Sequence, residues 1–231
     1  LIGHPLGHSI SSRIHTEFYR RYQIDAEYIH YDRPPEELAE LMADFRKMRI
    51  AGFNITLPYK TDVIPFLAAL EGDAGYFGAV NTVLNQGGDF IGYNTDGVGF
   101  MKLLQKHEIG VRGKNFLILG AGGAAKALVC KLALEKACKV IILNRTLDRA
   151  ALLAQAVSDL SSTESVCGRL EDFDSYASSC HCIINTTSAG MSPHINEAPV
   201  EDISSVCPET AVVDIIYNPS CTKLLQMAAS K

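Results

Sequence analysis

Residues 114–125, Lys114-Asn115-Phe116-Leu117-Ile118-Leu119-Gly120-Ala121-Gly122-Gly123-Ala124-Ala125, decide the fold. An apolar run of strand length enters a glycine-rich turn, and a helical pattern follows to about residue 136. Gly120-x-Gly122-x-x-Ala125 is the arrangement that lets backbone approach a pyrophosphate, whose charge then rests on the N-terminus of the helix. Alanine in the third position lies within the tolerance of that fingerprint. A glycine-rich turn chosen only for tight packing is the plainer alternative. It suits an isolated Gly-x-Gly better than three glycines set between a strand and a helix.

The next apolar run, residues 139–143, ends at Asn144-Arg145-Thr146, with Arg149 one turn further on. A site for NAD places Asp or Glu at this strand end to hold the ribose 2′-hydroxyl. Arginine there favours NADP, because two guanidiniums can fork onto a 2′-phosphate that an aspartate would repel. The competing explanation makes Arg145 and Arg149 solvated charges beside a helix whose N-cap is Thr146. The absence of an acidic residue at the strand end weighs toward NADP.

Outward from this stretch, apolar runs and helical periodicities alternate along the 231 residues, with Gly, Pro, Asn and Asp at the junctions. The pattern predicts an α/β fold of two domains with mostly parallel strands: an N-terminal α/β substrate domain and then a Rossmann-like, parallel-sheet domain for the dinucleotide. In the first half, strands are expected over residues 1–3, 27–31, 79–85 and 89–93, with a short one ending at Asn54. Helices are expected over 11–22 and 35–48, another is capped by Pro58, and a long one begins near Thr95. In the second half, further strands are expected over 182–185 and 211–215, with helices over 150–160 and 223–229. The best boundary lies between Asp96 and Lys102, giving domains 1–97 and 98–231, and a cleft beside the loops that carry Asn54, Lys60, Asn81 and Asp96. Both ends look cut: Leu1 opens inside an apolar run and Lys231 closes a helical one, so the chain reads as a fragment, and a place in a longer multifunctional polypeptide stays open.

Hydrophobic residues make up 47% and charged residues 20%, which is ordinary globular composition. A net charge of -5 without a dense Lys/Arg run gives no footprint for nucleic acid or an anionic membrane. No apolar run approaches the roughly 20 residues of a membrane span, and a cytoplasmic location is the expectation. The seven cysteines lack metal-ligand spacing, and the nearest pair, Cys180 and Cys182, is a C-x-C; they read as reduced thiols. His4, His8 and His15 are too scattered for a metal site, and no metal is expected.

Chemistry concentrates in loops of the first half. Ser9 and Ser11 lie in a turn-rich passage leading into a helix, where hydroxyls and backbone N–H groups can hold a carboxylate, although a serine there is commonly just an N-cap. Asn54-Ile55-Thr56-Leu57-Pro58-Tyr59-Lys60 offers an amide, a hydroxyl and an amine, Asn81 adds a second amide, and Asp96 adds a carboxylate at a strand-to-helix junction. Taken singly, Asn54 and Asn81 read as turn closers, Asp96 as a helix cap and Lys60 as a solvated lysine. Together they form a polar set that reads hydroxyl groups. Oxidising an alcohol removes its hydroxyl proton as hydride leaves the same carbon, so a base must lie within hydrogen-bond reach. Lys60 takes the acid/base role and Asp96 the partnering and hydroxyl-binding role.

With these residues in hand, the chain resembles the shikimate dehydrogenase family. Residues 3–11, 54–60, 78–82, 94–97, 120–125, 144–146, 184–191 and 214–222 carry the similarity. It implies that Ser9 and Ser11 hold the shikimate carboxylate, that Asn54, Thr56, Lys60, Asn81 and Asp96 bind the ring hydroxyls, and that Lys60 and Asp96 are the catalytic pair. It further implies that Asn185, Thr186, Thr187, Ser188, Gly190 and Met191 border the nicotinamide, with Tyr217 near the cleft. The implied activity is the NADP-dependent, reversible reduction of 3-dehydroshikimate to shikimate, a step of aromatic amino-acid biosynthesis, by a monomer or homodimer. Family members usually continue into helices that pack back on the substrate half, one supplying a glutamine to the substrate, and those are missing here. The alternatives are a quinate/shikimate dehydrogenase that uses NAD or NADP, and a non-catalytic ligand sensor of the same fold.

Overall fold

The computed structural model describes residues 1–7 and 9–231; His8 lies outside them. The chain divides into two compact units, Leu1–Thr95 and Asp96–Lys231.

The first unit contains β1 (Ile2–Gly3), α1 (Ser11–Tyr22), β2 (Tyr31–Asp32), α2 (Leu38–Met48), β3 (Gly52–Asn54), β4 (Ala69–Leu70), α3 (Asp73–Phe77), β5 (Thr82–Gln86) and β6 (Asp89–Tyr93). β1 and β2 pair in parallel, and a four-stranded sheet runs in the order β3-β5-β6-β4. Contrary to the expectation of mostly parallel strands, that sheet is mixed: β5 pairs antiparallel with both β3 and β6, and only β4 pairs parallel. The reason is local, since Gly87-Gly88, both at positive φ, close a tight hairpin between β5 and β6. The expected strand over 27–31 is also corrected, because only Tyr31 and Asp32 find partners, opposite Ile2 and Gly3. Nor does Pro58 start an α-helix: residues 57–63 form successive turns, and a single 3-10 turn, Ile64–Phe66, follows. Pro65 inside that segment lacks the N–H that would continue a helix.

Alternating apolar positions supply the core. Leu38, Leu41, Met42 and Phe45 line one face of α2 and pack on Phe53, Val83 and Phe90 from the sheet. Tyr31, Phe45, Phe53 and Phe90 form a run of edge-to-face rings with centroids 4.8, 5.0 and 5.4 Å apart. By contrast, α1 buries no residue fully and leaves Ile14, Phe18 and Tyr22 exposed along one side, with Ile10 exposed just before it.

The second unit contains α4 (Asp96–Lys106), β7 (Asn115–Leu119), α5 (Gly123–Leu134), β8 (Lys139–Leu143), α6 (Leu147–Leu160), β9 (Glu164–Gly168), α7 (Phe173–Ala177), β10 (Cys182–Asn185), β11 (Ala211–Asp214) and α8 (Lys223–Ala229). Its sheet is wholly parallel, in the order β11-β10-β7-β8-β9. The strands are near-continuous apolar runs because helices cover both faces, and Phe116 to Leu119 and Val140 to Leu143 are fully buried. Strand order reverses direction between β7 and β10, which opens a crevice at their carboxyl ends. All seven cysteines are free, and burial pushes the Cys182 thiol in the central sheet up to about 12.

Phe45 is the hub of the aromatic run, so Phe45→Ala is expected to destabilise the protein by about 3–5 kcal/mol in urea unfolding, the usual cost of removing a buried phenylalanine ring. A loss below about 1 kcal/mol would contradict this account of the core.

Candidate active site

In the first unit, β-sheet register and side-chain hydrogen bonds bring most of the expected polar residues together. Asn54 and Thr82 are direct cross-strand partners on β3 and β5, and Asn54 Nδ2 donates to Thr82 Oγ1 at 3.1 Å. Thr82 Oγ1 donates to Asn81 Oδ1 at 3.0 Å, and Asn81 Nδ2 donates to Thr95 Oγ1 at 3.0 Å. The Thr95 backbone N–H returns a bond to Asn81 Oδ1 at 2.9 Å. On the other side of Asn54, its Oδ1 accepts from the Tyr28 hydroxyl at 2.7 Å.

Lys60 joins the same frame through its backbone. The Val80 N–H donates to the Lys60 carbonyl at 2.7 Å, and the Ile55 N–H donates to the Asn81 carbonyl at 2.8 Å. The turn that carries Lys60 is pinned by its buried neighbour Tyr59, which is 1% exposed and whose hydroxyl donates to the Arg33 carbonyl. Thr56, between Asn54 and Lys60, donates its N–H to the Ile2 carbonyl at 3.0 Å. Asp96 follows directly on Thr95, as the first residue of α4.

Ser9 and Ser11 stand at the entrance to α1. Neither caps the helix with its side chain in the usual way; the Ser11 N–H donates to Ser9 Oγ at 3.3 Å, while the N-cap position is Ile10. Upstream, Asp32 accepts from the Leu6 N–H at 2.9 Å and faces His4 Nδ1 at 2.7 Å, tying the turn before Ser9 to β2. These two contacts, the backbone bond first, hold the Asp32 carboxyl below the usual carboxylate range.

In the second unit the glycine turn sits at the switch point of the sheet. Gly120 leaves β7 at φ +108, where a side chain is strained, and a Cβ there would lie 2.7 Å from Thr186 Oγ1. Thr186 clamps the turn from the end of β10, donating both its N–H and its hydroxyl to the Leu119 carbonyl at 2.8 Å. Beyond it, a Cβ on Gly122 or Gly123 would meet nothing within 4 Å. That open, side-chain-free space before the first N–H groups of the 12-residue α5 fits a pyrophosphate, and Ala121, Ala124 and Ala125 keep the helix start small.

At the end of β8, Asn144 Nδ2 donates to the Thr146 carbonyl at 2.9 Å and fixes the loop, while Arg145 and Arg149 are exposed. Thr146 occupies the N-cap position of α6, but its hydroxyl makes no capping bond. Arg169, just past β9, adds a third guanidinium, its Nη1 reaching the Arg145 carbonyl at 3.5 Å.

The loop after β10 is held by a buried network. Asn185, fully buried, donates to Asp214 Oδ2 at 3.0 Å and accepts from the Thr187 N–H and hydroxyl at 3.0 and 2.7 Å. Thr222, also fully buried, donates to the same Asp214 oxygen at 2.8 Å. Thr187 Oγ1 accepts from the Ala189 N–H at 3.1 Å, so the segment from Thr186 through Ser188 has a defined path, with Met191 and Tyr217 exposed beyond it. Among the described residues no group of three or more His, Cys, Asp or Glu side chains could hold a metal ion.

Residues 1–83 match the family profile described as the shikimate dehydrogenase substrate binding domain, and residues 102–220 match that described as shikimate / quinate 5-dehydrogenase. The chain belongs to the shikimate dehydrogenase family. It is 38% identical over 230 residues to the shikimate dehydrogenase (NADP(+)) of Halothermothrix orenii, covering 98% of this chain and 80% of the relative. Among solved structures, shikimate 5-dehydrogenase from Listeria monocytogenes in complex with shikimate and NAD is similar, with a TM-score of 0.93 and 30% identity over 99% of this chain and 81% of that one. The Thermus thermophilus enzyme in complex with NADP(H) and shikimate gives a TM-score of 0.87 and 30% identity over 99% of this chain and 82% of that one.

Sequence reading of this family member missed Tyr28, Thr82 and Arg169. Thr82 closes the motif of residues 78–82 but was given no role there, and Tyr28 lies outside the motifs; register sets Thr82 opposite Asn54, and a side-chain hydrogen bond joins Tyr28 to it. Arg169 follows β9, a strand whose polar residues hid it from the apolar pattern.

Because Gly120 has no room for a Cβ, Gly120→Ala is expected to weaken dinucleotide binding by about tenfold or more, equivalent to roughly 1.4 kcal/mol of strain or displacement, read by calorimetric titration. Unchanged affinity would show that the turn does not shape the dinucleotide site.

Proposed function

We propose that this chain catalyses the reversible reduction of 3-dehydroshikimate to shikimate with NADPH, with residues 1–97 binding the ring and residues 98–231 holding the dinucleotide. The observation that carries the reading is the single hydrogen-bonded frame in which Asn54, Asn81 and the backbone of Lys60 are locked together, and from which the chain passes straight through Thr95 into Asp96. Such a rigid row of amides and hydroxyls suits a small polyhydroxylated ring, whose donors and acceptors it reads one by one.

NADPH supplies the hydride when bound, its pyrophosphate against Gly120 to Ala125 and its 2′-phosphate against Asn144, Arg145, Thr146 and Arg149. Thr186, Thr187, Ser188 and Met191 border the nicotinamide. Ser9 and Ser11 hold the carboxylate of the substrate, Asn54, Thr56 and Asn81 hold its hydroxyls, and Tyr217 stands near the ring. As the carbonyl carbon is reduced, its oxygen gathers negative charge, and the Lys60 ammonium donates the proton that turns it into a hydroxyl. Asp96 attracts and orients that ammonium and accepts a hydrogen bond from a neighbouring ring hydroxyl. In the oxidative direction Lys60 takes the proton back. We further propose that the enzyme works in the cytoplasm as a monomer or homodimer.

Lys60→Ala is expected to lower kcat at least about 100-fold, within the range of general acid–base groups, while the dissociation constant for NADP stays within about threefold of wild type. Turnover near the wild-type rate would refute the assignment. Arg145→Asp is expected to weaken NADP binding by roughly ten- to a hundredfold relative to NAD, the effect of losing one charge-assisted bond to a phosphate and adding repulsion. An unchanged NADP-to-NAD ratio would remove Arg145 from the 2′-phosphate site.

A further inference from the structure

The polar residues of the first unit form one directed chain of hydrogen bonds. The Tyr28 hydroxyl donates to Asn54 Oδ1 at 2.7 Å, Asn54 Nδ2 donates to Thr82 Oγ1 at 3.1 Å, Thr82 Oγ1 donates to Asn81 Oδ1 at 3.0 Å, and Asn81 Nδ2 donates to Thr95 Oγ1 at 3.0 Å. Each group donates to the next in the same sense. The two amides are therefore not free to choose an orientation: a flip at Asn54 would set its NH₂ against the Tyr28 donor and its carbonyl against a hydroxyl already committed to Asn81.

Two features make Tyr28 suited to set this sense. Its ring is clamped by His15, which stacks on it with centroids 4.1 Å apart and planes 3° from parallel. Burial pushes its phenol up to about 12, so it is a neutral donor at neutral pH. His15 is itself pushed down by burial and stacks as an uncharged ring at neutral pH. Tyr28 stands at the head of the row, its hydroxyl on Asn54 Oδ1.

We propose that Tyr28, together with Thr82, is a positioning residue that fixes the donor and acceptor sense of Asn54 and Asn81, and thereby determines which pattern of ring hydroxyls the enzyme accepts. This rests on the ring-binding role proposed above for Asn54 and Asn81. Tyr28 and Thr82 act through those side chains and transfer no proton to the substrate.

The test is steady-state kinetics of Tyr28→Phe, which removes the link to Asn54, and Thr82→Val, which removes the links to Asn54 and Asn81, each keeping shape, alongside wild type. Each variant is expected to raise KM for shikimate about tenfold, the equivalent of one lost hydrogen bond at a desolvated site, with kcat and KM for NADP within about threefold. The double variant should be little worse than the weaker single one, because either break already frees both amides. Thermal melts establish that each variant is folded, and a folded Thr82→Val carries the test if Tyr28→Phe does not fold. Folded variants with wild-type KM for shikimate on an active background overturn this proposal alone. Additive effects in the double variant, or equal losses in kcat and both KM values, reduce the residues to general support and overturn it too. A wild-type protein that does not oxidise shikimate overturns the function reading along with it.

Discussion

The close approach of the Gly120 turn to Thr186, where β7 and β10 end side by side, is the constraint on which the second unit depends. Parallel pairing aligns Leu119 with Asn185, so the two strands deliver their following residues to one crevice. Thr186 then closes on the Leu119 carbonyl, and no side chain fits at 120. Backbone rather than side chains lines the turn, which is what a pyrophosphate requires. The same junction fixes the start of the segment from Thr186 to Ser188, whose path is completed by the buried Asn185, Asp214 and Thr222 contacts. One strand crossing thus shapes both the phosphate cradle and the neighbouring loop.

The first unit solves a different problem with side chains. Its mixed sheet places Asn54 opposite Thr82 and Thr82 opposite Tyr93, and this register puts an unbroken series of amides and hydroxyls along the strand ends. Tyr28, Asn54, Asn81 and Thr82 are partly buried there and would be costly to leave unpaired, so the series is stable only if each of them has a fixed sense. Rigidity of that kind is useful to a protein that must recognise a small ring by its hydroxyls, since a misplaced amide would reject the ligand or accept a wrong one.

Much of this was legible in sequence. The strand over 139–143, the strand over 182–185 and the helix over 223–229 agree with the structure to the residue, because long apolar runs and clear periodicity leave little room for error. The junction motifs also led directly to the Gly120 turn and to Asn54, Lys60 and Asn81. What escaped was set by tertiary context. A helix after Pro58 was a fair inference from one proline, but Pro65 and the buried Tyr59 and Val63 make a series of turns instead. Residues 27–31 have strand-like composition, yet only two residues find a partner. Tyr28, Thr82 and Arg169 took on roles only through tertiary contacts, Thr82 by its register opposite Asn54 and the other two by hydrogen bonds to residues brought from elsewhere in the chain.

The central claim is that the chain is built to interconvert shikimate and 3-dehydroshikimate using NADP. The most direct measurement follows the absorbance of the reduced cofactor while the protein oxidises shikimate or quinate with NADP or with NAD. The account predicts the highest kcat/KM for shikimate with NADP. Faster oxidation of quinate, or a preference for NAD, would contradict it.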